Sequence, residues 1–405
     1  MGDGAPARRS HAAQRVRQRR GPHPRGRVEE PQAVNGMRVL LAATPGGGHV
    51  LPMIPVLDAF RAAGHDVALA ISDDMVVPGL DEGVRRFRKE PSHFPLCPYP
   101  RGARRTAWWG RVNTEMAWAS YLGTKRIIED FSPDLVVRDA AERGAYLAAE
   151  VAGVPHVTVL AGSETVLTSY LRREQGITAP LRASLGLPED PEGSTQVPVM
   201  GIVLTHPRFF GHGSALLANS RFYRGDSSLP VRDAGSDTGG PSVLVSLGSS
   251  LAVPHEEFAR RALEGLAGTG VRVTVAVPDR FRARLAREFA GARILGFEDL
   301  APHLDGADVV VSHGGFGTVQ AALHRGVPMH ITPFGSDQFF NAERISAQGL
   351  GVALPWESCT PARLAGSVWD VARGPSFRKA ARAFAEDVRR LPGLDACVRD
   401  VISLI

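Results

Sequence analysis

The sequence predicts an α/β protein with two doubly wound, Rossmann-like domains that face a central cleft. Its 405 residues are long for one hydrophobic core. Short apolar runs that end in glycine-rich or polar loops alternate with stretches of helical periodicity. This alternation occurs in two series, and an irregular region between residues 188 and 240 separates them.

The first series starts with an apolar run that predicts a buried parallel strand, followed by a glycine-rich loop at residues 44–48. The elements predicted in this half are strands over 38–43, 67–71, 133–137 and 156–160, and helices over 50–63 and 140–151. In the second half we predict strands over 242–246, 271–277, 308–311 and 329–331, and helices over 256–266 and 318–323. The last thirty residues are also predicted to be helical.

These elements predict five segments along the chain. Residues 233–240 are polar and glycine-rich, which favours a flexible linker. We expect a disordered tail, an N-terminal Rossmann-like domain, a linker, a C-terminal Rossmann-like domain and a helical segment able to pack back on the N-terminal domain. Their predicted bounds are 1–36, 37–225, 226–241, 242–385 and 386–405.

The net charge of +5 comes from the tail. Residues 1–36 hold eight arginines and three acidic residues, so the rest of the chain has no excess charge. No nucleic-acid partner is therefore predicted for the folded part. The tail itself is either an extension upstream of Met37 or an arm that binds RNA or a membrane surface.

The cysteines and the apolar runs predict a compartment. The three cysteines show no CxxC or Cys/His ligand spacing, which predicts neither a disulfide framework nor a zinc site and favours a reducing cytoplasm. No run approaches 18 apolar residues, so no stable membrane insertion is expected.

A glycine-rich turn lies between the strand at 308–311 and the following helix. Gly314, Gly315 and Gly317 allow a ligand to approach the backbone closely, and the helix start offers unpaired N–H groups to a diphosphate. A protonated or hydrogen-bond-donating His313 and the Thr318 hydroxyl add side-chain donors. Taken alone, such a turn is equally often only a tight turn.

Asp337 and Gln338 follow the next predicted strand, at the edge where α/β proteins bind ligands. An Asp–Gln pair offers acceptors and donors that suit sugar hydroxyls. The alternative for Asp337 is a helix N-cap, and the two roles are compatible.

A candidate general base follows the first strand. His49 lies at the start of the next helix, and the ordinary pKa of histidine suits proton transfer near neutrality. Asp139 lies just past the strand at 133–137, so it is expected to reach and orient His49. The alternatives are a structural histidine and a cap for the helix that begins near Ala140.

Four aromatic residues, Trp108, Trp109, Trp118 and Tyr121, cluster in a region that we expect to be rich in loops. Their flat apolar surfaces suit an aromatic or macrocyclic acceptor. Helical spacing of Trp118 and Tyr121 is equally typical of plain core packing.

Together these motifs resemble a known family. The run His-Gly-Gly-Phe-Gly-Thr at 313–318, followed by Asp337, Gln338 and Asn341, resembles the donor-site signature of family 1 glycosyltransferases of GT-B fold. In particular it is similar to the bacterial branch that decorates antibiotics and other natural products. The resemblance extends from Met37 to the C-terminus. It implies an inverting, metal-independent hexosyltransferase.

The resemblance also implies residue roles. His313, Gly315 and Thr318 would meet the diphosphate, and Asp337 and Gln338 the sugar hydroxyls. Ser249 matches a position near the phosphates, and Phe297 stands in the loop that holds the nucleotide base. His49 and Asp139 occupy the positions of the family's catalytic pair.

The implied partners are a nucleotide sugar and a small hydrophobic natural product, with no cofactor beyond that co-substrate. A dTDP-deoxyhexose is favoured over a UDP-hexose, and a homodimer is left open. The alternatives are a catalytically silent GT-B-like auxiliary protein and a lipid-linked peptidoglycan-type glycosyltransferase.

Overall fold

The computed structural model describes Met1 and residues 36–72, 77, 80–89, 103–211, 214–225, 240–248, 253–296, 298 and 300–405, with only the backbone of 103–109. The chain divides into the units Met1–Asn35 and Gly36–Ile405. The helices and strands given below belong to the second unit. Residues 2–35 of the predicted tail and 226–239 of the predicted linker lie outside the described residues.

The first sheet is parallel throughout. Its strands within the described residues are β1 (Arg38–Ala42), β2 (Asp66–Ile71), β3 (Arg85–Arg88), β4 (Leu135–Asp139), β5 (His156–Val159), β6 (Gly201–Val203) and β7 (Ser220–Phe222). They lie in the order β3-β2-β1-β4-β5-β6-β7. The chain changes direction across the sheet between β1 and β4, which opens a crevice at the carboxyl ends of these two strands.

Helices cover both faces of this sheet, so the central strands are buried almost completely. The helices of this half are α1 (Gly47–Val50), α2 (Ile54–Ala62), α3 (Ala103–Phe131), α4 (Arg143–Ala152) and α5 (Thr168–Ser184).

The second sheet repeats this plan. Its strands within the described chain are β8 (Ser242–Ser246), β9 (Arg272–Ala276), β10 (Arg293–Leu295), β11 (Val309–Ser312), β12 (Met329–Ile331) and β13 (Gly351–Ala353). They are parallel, in the order β10-β9-β8-β11-β12-β13, with the reversal between β8 and β11. Its helices are α6 (His255–Leu266), α7 (Asp279–Glu288), α8 (Ala301–Asp305), α9 (Phe316–His324), α10 (Gln338–Ala347) and α11 (Pro361–Arg373).

Two further helices, α12 (Pro375–Arg389) and α13 (Leu394–Ile402), end the chain. Helix α12 packs against α9, whereas α13 packs against α2. Cys397 and Val401 of α13 are fully buried in the apolar cluster formed around β1 and β2. Tyr223 donates a hydrogen bond to Asp400 at 2.7 Å. The last helix therefore lies on the first half of the molecule.

The cores of the two halves are continuous through a phenylalanine-rich segment. Phe209, which is fully buried, lies 5.5 Å from Phe316 of α9 between ring centroids and 6.3 Å from Phe384 of α12. Its carbonyl accepts a hydrogen bond of 2.9 Å from the Gln348 side chain. This packing fixes the end of the first half on the helices of the second.

The predicted fold class is confirmed, and each predicted strand and helix has a counterpart. The helix predicted over 50–63 is instead α1, a 3-10 turn at Leu51–Met53 and α2. The strands β3, β6, β7, β10 and β13 and the helices α5, α7, α8 and α11 were not predicted. Strand β3 reads Arg-Arg-Phe-Arg at a sheet edge, and β6 and β7 have three residues each, so none shows an apolar alternation.

The expectation of a loop-rich region around the tryptophans is wrong, because residues 103–131 form the long helix α3. Its buried face includes Asn113, Ser120 and Thr124 among the apolar residues. These polar positions dilute the apolar periodicity on which a helix prediction depends. No helix among the described residues is both long enough and apolar enough to cross a membrane.

We predict that Phe209→Ala lowers the free energy of unfolding by about 3–5 kcal/mol, because it leaves a cavity between the two cores. Chemical denaturation measures this change. Phe339→Ala is the matched control, since the Phe339 side chain is 58% exposed, and its effect should stay below about 0.5 kcal/mol. Equal effects of the two substitutions would contradict the packed junction.

Candidate active site

The candidate active site lies at the carboxyl edges of the two sheets. His49 follows β1 and Asp139 ends β4, so both stand where the first sheet reverses its order. His313 follows β11, at the reversal of the second sheet, and Asp337 follows β12. Each sheet therefore presents its chemistry at the place where doubly wound folds bind ligands.

His49 and Asp139 are in direct contact, as predicted from their positions after β1 and in β4. The His49 Nδ1 lies 3.1 Å from Asp139 Oδ1. Asp139 is 1% exposed, whereas 36% of the His49 side chain is exposed. Because an ionised carboxylate only accepts, Nδ1 carries the proton and Nε2 keeps its lone pair.

Backbone donors hold the Asp139 carboxylate in place. Thr44 N donates to Oδ2 at 2.6 Å and Ala141 N donates to Oδ1 at 2.7 Å. Asp139 does not cap helix α4. This helix begins at Arg143, and the Glu142 side chain caps it. The loop before His49 needs a glycine at Gly46, whose φ is 138°.

The charges around the pair set both pKa values. Loss of water lowers the pKa of His49, but the charge and hydrogen bond of Asp139 raise it by more, so it lies above its ordinary value. Arg143 opposes this rise and Asp337 adds to it. Burial raises the pKa of Asp139, but His49 and the two backbone donors hold it below its ordinary value.

His313 is buried, and glycines make room for its ring. A Cβ at Gly248 would lie 2.7 Å from Cε1 of the ring, and one at Gly315 would lie 2.5 Å from Nε2. Burial lowers the pKa of His313 to about 4, with the nearby His255 adding to the effect. The imidazole is therefore neutral near pH 7, which favours the hydrogen-bond-donating alternative for His313 over the protonated one.

The start of α9 offers unpaired backbone donors. Gly315 occupies the N-cap position and no side chain caps the helix. Gly317 is exposed and Thr318 half-buried, so both can meet a ligand. Gly314, with φ of 86°, turns the chain between β11 and the helix. The predicted anion site is thus a helix N-terminus of suitable geometry.

The turn after β12 is fastened to the glycine-rich turn. Asn341 Nδ2 donates to Gly314 O at 2.8 Å and lies 3.3 Å from Asp337 Oδ2. The Gln338 side-chain oxygen accepts a hydrogen bond of 2.8 Å from Phe334 N. This oxygen therefore stabilises the loop between β12 and α10. Gln338 is only 4% exposed.

Asp337 stands at the N-cap position of α10, where its side chain makes no cap hydrogen bond to the helix backbone. Its carboxylate meets the helix through the Asn341 side chain. Burial raises the pKa of Asp337 to about 6, and the charge of Glu164 adds to this rise. The hydrogen bond from Asn341 and the charge of His49 oppose it. Near neutrality this carboxyl is close to its titration point, and it is near enough to His49 for each charge to affect the other.

Other predicted site residues are distributed differently. Ser249, Phe297 and the side chains of Trp108 and Trp109 lie outside the described residues. Trp118 is 38% exposed and stacks on Tyr121, with 5.4 Å between ring centroids. Tyr121 is 6% exposed and belongs to an apolar core cluster, which is the core-packing alternative for this residue.

Sequence reasoning missed a group of buried charges beside the pair. Arg143 donates to Glu174 at 2.5 Å, and Lys89, which is 1% exposed, pairs with Glu142. Arg138, adjacent to Asp139, is also buried. Arg138, Glu142 and Arg143 lie within four residues of Asp139 in the sequence, and this cluster of charges was the available signal. Because charged residues are usually solvated, the sequence does not show that these are buried.

Comparisons with known proteins agree with the fold. Residues 260–404 match the family described as Erythromycin biosynthesis protein CIII-like, C-terminal domain. The elloramycin glycosyltransferase ElmGT of Streptomyces olivaceus is 30% identical over 393 residues, which cover 88% of this chain and 94% of the relative. The L-demethylnoviosyl transferase of Streptomyces niveus is 28% identical over 382 residues, covering 88% and 95%.

The solved structure of the spinosyn rhamnosyltransferase SpnG complexed with thymidine diphosphate is similar with a TM-score of 0.73 at 20% identity. It covers 90% of this chain and 100% of that one. The fold is therefore the two-domain GT-B fold. The chain belongs to the bacterial antibiotic and natural-product branch of the family 1 glycosyltransferases. It is a glycosyltransferase, as the motifs at 313–318 and 337–341 predicted.

We predict that Gly315→Ala weakens binding of inorganic diphosphate at the start of α9 by about tenfold or more, the scale of one hydrogen bond to a charged group. The added methyl displaces the His313 ring and with it the start of α9. Isothermal titration calorimetry measures the affinity. Gly366→Ala in α11 is the control, because a Cβ there meets open space, and unchanged affinity in both variants would contradict this account of the glycine.

Proposed function

We propose that this glycosyltransferase moves a sugar, with inversion and without a metal ion, from a nucleotide sugar to a hydroxyl of a small hydrophobic natural product. The observation that carries the proposal is the His49–Asp139 contact at the carboxyl edge of the first sheet. Asp337, from the second sheet, lies near enough to affect the charge of His49. This proximity supports a single site for the proposed base and the donor residues.

His49 is the proposed general base. Asp139 accepts the Nδ1 proton, so Nε2 is free to take the proton of the acceptor hydroxyl. The acceptor oxygen then attacks the anomeric carbon while the bond to the nucleotide diphosphate breaks on the opposite face. This single displacement inverts the configuration. The buried Asp139 stabilises the imidazolium that forms.

The leaving diphosphate is assigned to the start of α9. Its unpaired N–H groups, the exposed backbone at Gly317 and the Thr318 hydroxyl all present donors to an anion. The neutral His313 ring donates from one nitrogen. These donors supply the charge stabilisation that a metal ion provides in other transferases, so the reaction needs none.

The sugar is assigned to Asp337 and Gln338. The Asp337 carboxylate makes no cap hydrogen bond to the α10 backbone, so it can accept a hydrogen bond from a sugar hydroxyl. A dTDP-deoxyhexose is the favoured donor and a UDP-hexose the second choice. Support comes from SpnG, which is named a rhamnosyltransferase and was solved with thymidine diphosphate.

We predict that His49→Ala and Asp139→Asn each lower kcat by about 100-fold or more, the scale of general base catalysis. The first removes the base, and the second removes the negative charge that stabilises the imidazolium and replaces one acceptor oxygen by an NH2 donor, which disfavours the productive tautomer. Both variants should bind thymidine diphosphate as the native protein does. Turnover of a dTDP-sugar with an alcohol acceptor, together with calorimetry, measures the two effects.

Asp134→Asn is the matched control for these variants. Asp134 precedes the same strand at its opposite end, where it accepts a hydrogen bond of 2.8 Å from Arg38 N. This variant should keep native kcat. Undiminished turnover in His49→Ala would show that another group is the base.

We predict that EDTA leaves transfer unchanged, because the α9 donors stabilise the diphosphate. Rates with dTDP- and UDP-sugars are compared before and after chelation. A loss of activity that Mg²⁺ restores would contradict the metal-independent route. Absence of nucleotide binding for both classes would favour a silent auxiliary protein over the proposed reaction.

A further inference from the structure

Arg138 is a buried cation directly next to the proposed catalytic pair. It occupies the second-last position of β4, immediately before Asp139, and its residue is 1% exposed. Among the described residues, no carboxylate forms an ion pair with it. Burying a guanidinium without a paired carboxylate is costly unless its N–H groups are used.

Its two terminal NH2 groups donate to backbone carbonyls, whereas the buried Nε has no hydrogen-bond partner among the described residues. Nη1 donates to Asp139 O at 3.0 Å and to Ala140 O at 3.1 Å. Nη2 donates to Gln196 O, at the end of the 3-10 turn Ser194–Gln196. One planar guanidinium thus joins the end of β4 to a second segment of the chain.

Neighbouring side chains support the same carbonyls. Tyr170 Oη donates to Ala140 O at 3.2 Å, and Thr158 Oγ1 donates to Gln196 O at 2.9 Å. The Arg138 guanidinium carbon lies 5.4 Å from the centre of the Tyr146 ring, within cation–π range. Helices α4 and α5 and strand β5 therefore all contribute to the position of Arg138.

The carbonyls that Arg138 holds belong to the peptide units that orient the Asp139 side chain. Successive side chains of a strand point to opposite faces, so Arg138 and Asp139 act on one stretch of backbone from different sides. On its own side, the Asp139 carboxylate receives Thr44 N, Ala141 N and His49. Ala141 is itself the next residue after the two carbonyls.

We propose that Arg138 is a positioning residue for Asp139, which it holds against His49 by fixing the carbonyls of residues 139 and 140. The proposal rests on the roles proposed above for His49 and Asp139. Arg138 makes no contact with substrate and acts only through Asp139.

The charged groups that act most on the His49 ring are Asp139 from β4, Arg143 from α4 and Asp337 from the start of α10. If the Asp139 carboxylate moves away, loss of water and Arg143 remain, and both lower the pKa of His49. Removal of a nearby cation would act through space in the opposite direction and raise that pKa. The direction of the shift therefore separates positioning from a simple charge effect.

The test uses Arg138→Met and Arg138→Lys in the full chain. The pKa of His49 is followed by NMR of the free protein, with its signal among the 13 histidines assigned by its absence in His49→Ala. We expect the pKa to fall by about one unit in Arg138→Met, a tenfold change in the protonation equilibrium. Arg138→Lys keeps a cation but lacks the planar fork, so its shift should be downward and smaller.

Kinetics with a dTDP-sugar give the second readout. We expect kcat of Arg138→Met to fall by about tenfold or more, within the range of general base effects, while the donor KM stays near the native value. Arg138→Lys should recover part of the loss. If Arg138→Met does not fold, the pKa shift in Arg138→Lys decides the question.

Arg325→Met is the matched control. Arg325 is also buried, at 7% exposure, but its Nε donates to Asp305 at 2.7 Å in the second half of the molecule. This variant should lose thermal stability and keep both the His49 pKa and kcat. An unchanged or raised His49 pKa in the Arg138 variants, or the same shift in Arg325→Met, would overturn the proposal. The titration of His49 does not depend on turnover. A native protein without transferase activity would therefore contradict the proposed function, whereas the pKa shift would still test the role of Arg138.

Discussion

The buried carboxylate of Asp139 is the constraint on which the site depends. It ends β4 and is 1% exposed. It receives hydrogen bonds from Thr44 N and His49, which follow β1, and from Ala141 N, which follows β4. An ionised group so far from water is stable only with several donors, and the fold supplies them because β1 and β4 are neighbours. The same arrangement leaves Nε2 of the neutral His49 with its lone pair, on a side chain that is 36% exposed.

In the proposed reaction, the second sheet stabilises the negative charge of the leaving diphosphate. Because Gly248 and Gly315 have no Cβ atoms, the His313 ring fits beside the start of α9. Asn341 ties the turn that carries Asp337 to Gly314. A base on one sheet and an anion site on the other suit the transfer of a sugar between two oxygen atoms. The continuous apolar core around Phe209 connects the two halves of the molecule that carry these groups.

Much of this site was predictable because its residues lie at strand ends. Apolar runs located β1, β4 and β11, and the residues after them followed from the topology. Burial could not be predicted in the same way. The neutral state of His313 was not predictable, because the sequence does not show that two glycines enclose its ring. Nothing in the sequence marks Arg138 and Lys89 as buried, and only the tertiary structure shows that both are 1% exposed.

The central claim is that Asp139 raises the pKa of His49 and thereby prepares a base on the acceptor side. The dependence of kcat/KM on pH in the native protein tests it most directly, since this ratio reports groups of the free enzyme. A base acts only when unprotonated, so activity should rise with pH through one ionisation above the ordinary histidine value of about 6.5. An acid limb well below that value, or none, would contradict the account.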